Sequence, residues 1–147
     1  MIPIGASLDW SWHGYRTSCV DVNGTMIESV SGGTHWGGGM LIHAEDQARL
    51  GLLMLRRGEW NGKRVLPESW IVESLRPCAL KPTYGLLWWL NTAHGRYESA
   101  PANSFFASGA GGNLTWIDPD HDLVAVMRWL DPTATDTFIR LIMQAMQ

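Results

Sequence analysis

The chain has 147 residues, of which 46% are hydrophobic and 17% charged, and its net charge is −3. This composition predicts a globular domain with a sizeable core and excludes a disordered chain. The small negative charge offers no footprint for nucleic acid or an anionic membrane, and no apolar run reaches the roughly eighteen residues of a membrane span. The N-terminus lacks the basic and apolar regions of a signal peptide, which favours the cytoplasm for the chain as given. A longer parent protein would also be compatible with the periplasm.

Two cysteines and nine tryptophans stand out in the composition. Two cysteines make no disulfide framework, so Cys19 and Cys78 are expected to be buried thiols, with a single pair as the alternative. Tryptophans most often fill a core or an interface, but they also line carbohydrate-binding surfaces. A non-catalytic small-ligand or carbohydrate-binding module with a Trp-lined pocket is therefore an alternative function.

The first 43 residues are predicted to be a loop-rich segment that ends in a glycine loop. Asn23 and Gly24 lie between short alternating runs, which predicts a β-hairpin. The stretch SGGTHWGGGM, residues 31–40, has five glycines in ten positions and is predicted to be a loop. His35 lies inside it, where a pocket role and a plain surface or packed position fit the sequence equally well.

Residues 44–76 are predicted to form helices. The first spans residues 44–57, with acidic residues near its start, two arginines near its end and Gly58 as its stop. The second begins at Pro67, whose missing N–H is harmless in a first turn. The expected buried face of the first helix consists of Leu41, Ala44, Ala48, Leu52 and Leu55.

Residues 84–130 are predicted to be antiparallel strands, and residues 132–146 a C-terminal helix. YGLLWWLN, residues 84–91, indicates a buried strand, and the nearly all-apolar run 123–130 indicates a central one. Asp131 and Pro132 suit the cap and first position of the last helix, whose inner face would hold Phe138, Ile142 and Ala145. Together these elements predict an α+β fold, an antiparallel sheet with flanking helices.

The stretch FFASGAGGN, residues 105–113, places small residues just ahead of a strand, where main chain could approach a ligand closely. It is not a phosphate loop, because it precedes a strand and lacks the G-x-G-x-x-G spacing. DPDHD, residues 118–122, favours a hairpin turn over a calcium loop, since Leu123 stands where that loop needs glycine. The histidines and cysteines form no zinc motif, so no metal or other cofactor is predicted.

Motifs for nucleophilic catalysis are missing from the sequence. Neither G-x-S-x-G nor S-x-x-K occurs, and the chain has only two lysines, Lys63 and Lys81. CALK, residues 78–81, has the spacing with a cysteine, but the flanking prolines disfavour the helical turn that would align the pair. The sequence therefore supplies no nucleophile with an activating base.

Several segments, in chain order, resemble the later part of the serine β-lactamase-like hydrolases. This group includes class C β-lactamases, penicillin-binding-protein-like esterases and 6-aminohexanoate-dimer hydrolases. The similar segments are PIGASLDWSW (3–12), the glycine loop (31–40), D-x-A-R-x-G-x-L-x-L (46–55), G-x-W-N-G-K-x-x-L (58–66), the Pro-x-x-W helix (67–70), YGLLWWL (84–90), and the aromatic–aromatic–Ala and glycine run that leads to D-P-x-x-D-L-V (105–124).

The resemblance implies the C-terminal part of a β-lactamase/transpeptidase-like fold, a single partial domain over residues 1–147. Such hydrolases cleave esters, amides or β-lactams through an acyl-serine on the serine of S-x-x-K. That motif is absent here, and neither Y-x-N nor the strand motif K-T-G or H-x-G is matched. The isolated chain is therefore expected to be an inactive fragment. An N-terminal half or self-association is expected to cover an exposed face, and the complete enzyme to take a small ester or amide.

By position, the resemblance also implies candidate site residues. The family's third-motif strand lends a backbone N–H to the oxyanion hole, which here points to Gly109, Ala110 and Gly111, with Ala110 the leading candidate. The glycine loop would form a pocket wall. The candidate substrate-binding residues are Ser31, His35, Trp36, Gly112 and Asn113. No catalytic side chain and no metal ligand is assigned within the chain.

Overall fold

The computed structural model describes residues 1–12, 14–30 and 40–146. Single 3₁₀ turns lie at Ile2–Ile4, Thr92–His94 and Pro132–Ala134. The helices are α1 (Ala44–Leu55), α2 (Glu68–Ser74) and α3 (Thr135–Ala145). The strands are β1 (Ser11–Trp12), β2 (Gly14–Val22), β3 (Thr25–Val30), β4 (Met40–Leu41), β5 (Glu59–Trp60), β6 (Lys63–Arg64), β7 (Trp89–Leu90), β8 (Phe105–Gly109), β9 (Asn113–Asp118) and β10 (Leu123–Met127).

The main sheet is antiparallel and has the strand order β10-β9-β8-β7. The β8–β9 hairpin closes at the pair Gly109 and Asn113, and β10 runs back beside β9 from the pair Asp118 and Leu123. The remaining strands pair in twos, β1 with β4, β2 with β3 and β5 with β6. Mixed helices and an antiparallel sheet confirm the predicted α+β class.

The sheet carries an apolar cluster on each face, because successive strand residues point to opposite sides. Phe106 and Trp116 lie in one cluster with Ile139 of α3, and all three are fully buried. Phe105 and Ile117 lie in the other, with residues of α1 and α2. The sheet is therefore packed between α3 on one side and α1 and α2 on the other.

Two local predictions from the sequence are confirmed. Asn23 and Gly24 turn β2 into β3, both at positive φ, as a two-residue hairpin loop requires. Helix α1 begins at the predicted residue and ends at Leu55, two residues before the predicted end. The predicted stop, Gly58, has a φ of +84°, and its N–H donates to the Leu53 carbonyl. This left-handed glycine is a common way of satisfying the last carbonyls of a helix.

The predicted strands need correction. Run 123–130 forms only β10, and among the described strands β10 lies at the edge of the sheet rather than in its centre. In 84–91 only Trp89–Leu90 is a strand, and Leu86 and Leu87 are exposed. The chain folds back there, because the Gly85 N–H bonds the Trp88 carbonyl and Leu87 takes a positive φ.

The predicted buried faces of α1 and α3 are also wrong in part. Gly51, Leu53 and Met54 are the buried apolar positions of α1, whereas the predicted face is exposed or half-buried. Gly51 sits directly against the sheet, and a search for apolar side chains passes over a glycine. In α3 the buried positions are Thr135 and Ile139, while Phe138 and Ala145 are exposed and Ile142 is half-buried.

Cys78 is exposed, contrary to the prediction of a buried thiol. It lies after α2, where its N–H donates to the Tyr84 carbonyl, and it belongs to neither cluster of core residues. The prediction for the Cys19 side chain falls outside the described part of the structure. In the described ranges, no helix is long and apolar enough to cross a membrane.

Candidate functional site

A cavity of about 440 Å³ opens between α1 and the end of the β8–β9 hairpin. Its lining includes apolar side chains, among them Leu50, Leu87 and Trp88, and polar ones, among them Gln47 and Arg128. Its lining residues are Met40, Ile42, Gln47, Leu50, Gly51, Leu87, Trp88, Ala107, Ser108, Gly109, Ala110, Asn113, Thr115 and Arg128. Thus Gly109, Ala110 and Asn113 of the predicted site lie together at this cavity.

The outer edge of β8 is open where it reaches the cavity. The Ser104 carbonyl accepts from the Asn91 N–H at 2.9 Å on the β7 side, and backbone groups alternate in direction along an antiparallel strand. Ser108 therefore directs its N–H away from β9, and Ala110 follows β8 as the first residue of the turn. Strand β7 pairs only as far as Phe106, so Ser108 lies beyond its end. The arrangement leaves main-chain donors at a cavity wall.

Gly111 and Gly112 have a packing role in the turn. Gly112 has a φ of +71°, and a Cβ there would lie 1.8 Å from the Leu130 carbonyl oxygen. Gly111 has a φ of +77°, and its Cβ would lie 2.8 Å from the ring of Trp129. Neither glycine lines the cavity, so close packing of the turn on residues 129–130 accounts for both.

Polar side chains connect the turn to β10 and α1. Asn113 Nδ2 donates to the Ala110 carbonyl at 2.7 Å, and Arg128 Nε donates to Asn113 Oδ1 at 2.9 Å. Arg128 Nη1 donates to the Ile42 carbonyl at 3.0 Å and to Gln47 Oε1 at 3.4 Å. Gln47 Nε2 in turn donates to Thr115 Oγ1 at 2.7 Å. The network therefore links the β8–β9 turn, β9, the end of β10 and the start of α1 around one cavity.

Sequence reasoning missed Arg128, Gln47 and Thr115. Arg128 follows directly after the apolar run of β10, and this charged residue at the end of a strand was the sequence feature that could have indicated a site residue. Its meeting with Asn113 depends on the pairing of Leu114 with Met127, which a single sequence does not reveal. Ser31, His35 and Trp36 lie outside the described residues, and their assignment to the substrate site stays a prediction, as does that of Gly112 and Asn113.

Asp46 anchors the start of α1, the helix that bears Gln47. Its buried carboxylate accepts hydrogen bonds from the hydroxyl and N–H of Ser7 and from Arg49 Nη1 at 2.7 Å. The Ser7 hydroxyl bond is the largest cause of a lowered Asp46 pKa; burial opposes it, and the Ser7 N–H and Arg49 add to it. Asp46 has all its bonds within the fold, which fits a structural role.

The tryptophans are spread over the molecule. Trp88 lines the cavity, Trp116 is fully buried, and Trp70 and Trp129 are exposed. A cavity with a single tryptophan among its described lining residues gives little support to a Trp-lined carbohydrate site. Within the described ranges, no group of three or more His, Cys, Asp or Glu residues could hold a metal ion.

Comparison with solved structures relates this arrangement to known proteins. A protein of Bacillus anthracis described as a 6-aminohexanoate-dimer hydrolase is 28% identical, with a TM-score of 0.54, over 73% of this chain and 29% of that chain. This chain therefore resembles the serine β-lactamase-like hydrolases in structure as well as in sequence motifs. A protein of Bacteroides dorei DSM 17855 described as a β-lactamase is 15% identical, with a TM-score of 0.48, over 69% of this chain and 40% of that chain.

No protein-family model and no curated protein matches the sequence. The chain spans less than a third of the length of the Bacillus anthracis protein. The resemblance inferred from the sequence motifs is thus confirmed, together with the family's α+β fold.

Proposed function

We propose that this chain supplies the oxyanion-hole side of a serine hydrolase active site that cleaves esters, amides or β-lactams through an acyl-serine. The observation that carries the proposal is the open β8 edge at Ser108 and the adjoining turn residue Ala110, which both line the cavity. The similarity to the Bacillus anthracis protein described as a 6-aminohexanoate-dimer hydrolase supports an amide as the substrate.

The chemistry needs a donor where charge develops. A serine Oγ attacks the substrate carbonyl and passes its proton to a lysine, so that the carbonyl oxygen becomes an oxyanion. Main-chain N–H groups stabilise that charge without reorganising, because strand pairing already fixes them. The leaving group takes a proton as it departs, and water then hydrolyses the acyl-serine. In this scheme Ala110 N–H is the donor, and the β8–β9 pair of Gly109 and Asn113 holds it in place.

The nucleophile and base come from outside this chain in the proposed enzyme. The sequence contains no S-x-x-K, and its two lysines lie far from β8 in the chain. We therefore expect the chain alone to form no acyl-enzyme. Oxyanion donors and binding without a nucleophile give only weak residual catalysis.

The proposed partner is an N-terminal segment that carries S-x-x-K. In the described part of the chain, no strand pairs with β10 on the side away from β9, so its backbone groups can accept another strand. Phe138 and Leu141 of α3 are 41% and 51% exposed and offer apolar surface elsewhere. The small size of the chain relative to the Bacillus anthracis protein favours a missing segment over a second copy.

A fluorophosphonate probe tests the chain alone. Intact-mass spectrometry should show no adduct, and a stoichiometric adduct on any serine would contradict the proposal. The DNA directly upstream of Met1 should encode S-x-x-K in frame or in a neighbouring reading frame. If an extended protein carrying that motif stays monomeric and labels at its serine, the N-terminal segment is the partner; dimerisation of the short chain through β10 would favour self-association instead.

The role of Ala110 is tested in the extended protein. Ala110→Pro removes the N–H, and the preceding Gly109 lies in a strand, a conformation that a following proline favours. We expect the acylation rate to fall by about 10² to 10³. Ala110→Ser keeps the N–H and is the matched control. An unchanged acylation rate in a folded Ala110→Pro protein would remove Ala110 from the oxyanion hole.

A further inference from the structure

The lining of the cavity combines apolar side chains with one charged group. The apolar residues with large side chains are Met40, Ile42, Leu50, Leu87 and Trp88. Arg128 is the only charged residue among the described lining residues. An apolar cavity with a single cation suits an amphiphilic anion better than a neutral or a cationic molecule.

Arg128 is held in place by neutral groups. Its Nε and Nη1 donate to the side-chain oxygens of Asn113 and Gln47 and to the Ile42 carbonyl. These bonds orient the planar guanidinium without neutralising it. A fixed guanidinium loses little conformational entropy when it binds a ligand, which makes it a good receptor for a carboxylate.

The charge of Arg128 is unpaired within the described residues. No carboxylate forms an ion pair with it, whereas five other arginines each have one. Those five are Arg49, Arg56, Arg57, Arg64 and Arg76. Arg128 Nη2 has no hydrogen-bond partner in the same part of the structure, and it is not among the buried atoms that lack one. The two N–H bonds of Arg128 Nη2 are therefore available to a ligand.

Arg128 also lies close to the candidate oxyanion donors. Asn113 accepts from Arg128 and donates to the Ala110 carbonyl, so one side chain separates the guanidinium from Ala110. An anion on Arg128 and a carbonyl on the β8 edge would therefore belong to the same small molecule. The carboxylate that hydrolysis releases would form at the β8 edge, so the group on Arg128 is a second one.

We propose that Arg128 is a specificity-determining residue, and that this cavity takes acyl compounds whose apolar chain also carries a carboxylate, bound by the Arg128 guanidinium. The acyl part of this statement rests on the proposed function, and the anion preference does not. A purely structural Arg128 would hold β10 against α1 and would bind charged and neutral ligands alike.

The chain as it stands can be tested with hexanoate and its neutral analogue hexanamide. In ¹H–¹⁵N NMR titrations we expect hexanoate to bind at least about tenfold tighter, as a charge-assisted hydrogen bond predicts. Added NaCl should weaken the binding of hexanoate but not the binding of hexanamide. The Arg128 Nε–H resonance, assigned by its loss in Arg128→Lys, should shift with hexanoate only.

Substitutions extend the test. Arg128→Met should remove the preference for hexanoate, Arg128→Lys should keep part of it, and Arg140→Met, on the exposed face of α3, should keep all of it. If Arg128→Met does not fold, the two affinities of the wild type and the shift of the Arg128 Nε–H resonance still decide whether Arg128 binds the carboxylate. Equal affinities for the two compounds, or no binding of either, overturn the inference.

The two proposals can fail separately. Acylation of an extended protein together with equal binding of hexanoate and hexanamide would leave the hydrolase and remove the role of Arg128. A hexanoate preference without any acyl-serine in the extended protein would leave an anion-binding cavity and remove the hydrolase.

Discussion

Asn113 Nδ2 donates a hydrogen bond to the Ala110 carbonyl over 2.7 Å. This bond closes the three-residue turn between β8 and β9 from within and limits rotation of the peptide that follows Ala110. Asn113 Oδ1 simultaneously accepts from Arg128. A single amide thus holds both the turn that carries the candidate oxyanion donor and the cation in the cavity lining, because a side-chain amide offers a donor and an acceptor together.

Asn113→Asp should abolish the preference for hexanoate over hexanamide. The new carboxylate would pair with Arg128 and occupy the charge that hexanoate needs. It would also lack a donor for the Ala110 carbonyl, at a cost of about 1 kcal/mol in the free energy of unfolding. NMR titration and urea unfolding measure the two effects. Asn113→Ala, which leaves the Arg128 charge free, is the control, and wild-type hexanoate affinity in Asn113→Asp would refute the link.

Gly112→Ala should be strongly destabilising. The added Cβ would lie 1.8 Å from the Leu130 carbonyl oxygen, a backbone atom that no side-chain rotation can move away. Gly62→Ala is the matched control, because Gly62 has a similar φ of +73° but no atom within 4 Å of the new Cβ. We expect about 1 kcal/mol for the control and at least about 2 kcal/mol more for Gly112→Ala in urea unfolding. Equal losses would show that the turn does not press on Leu130.

Asn91→Ala should unfold the loop that leads into β8. The fully buried Asn91 side chain donates to three carbonyls and accepts from two N–H groups of residues 96–101. Removing it leaves several buried polar groups without hydrogen-bond partners, which should cost roughly 3 kcal/mol or more of unfolding free energy. Asn103→Ala breaks only an exposed bond to Asp120 and should cost under about 0.5 kcal/mol. A mild effect at Asn91 would mean that water replaces its bonds.

Local structure was the part of this fold most open to prediction from sequence. The Asn23–Gly24 hairpin and the start of α1 depend on neighbouring residues, and both were predicted correctly. The edge position of β10 depends on which strands lie beside it, and an apolar run looks the same at an edge and in the centre. The burial of Gly51 was not predicted, because Gly51 comes close to Val124 and Thr115 only by lacking a side chain.

The residues of the candidate site also differ in whether the sequence alone could predict them. Ala110 and Asn113 could be proposed because the glycine run and the family pattern are contiguous in sequence. Gln47 and Arg128 are 81 positions apart, and only tertiary packing places them within 3.4 Å. No periodicity or spacing rule connects such a pair, so the anion-binding side of the cavity required the structure.

Asp46 should make the fold sensitive to acid. The Ser7 hydroxyl, with the Ser7 N–H and Arg49, lowers its pKa below the ordinary value of 3.8 despite burial. A carboxyl whose pKa is lower in the folded state stabilises the protein fully above its unfolded pKa and loses that contribution as the pH falls through the folded pKa. The excess stability of the wild type over Asp46→Asn should therefore shrink below about pH 4.

Urea unfolding of both proteins from about pH 6 to about pH 2 measures this difference. Asp131, whose pKa is also lowered by hydrogen bonds from Thr133, is present in both proteins and so cancels. Ser7→Ala removes the largest cause of the Asp46 shift and should bring the loss of stability to a higher pH. A wild-type advantage over Asp46→Asn that stays constant across the range would mean that the Asp46 pKa is the same in the folded and unfolded states, contrary to its hydrogen bonding.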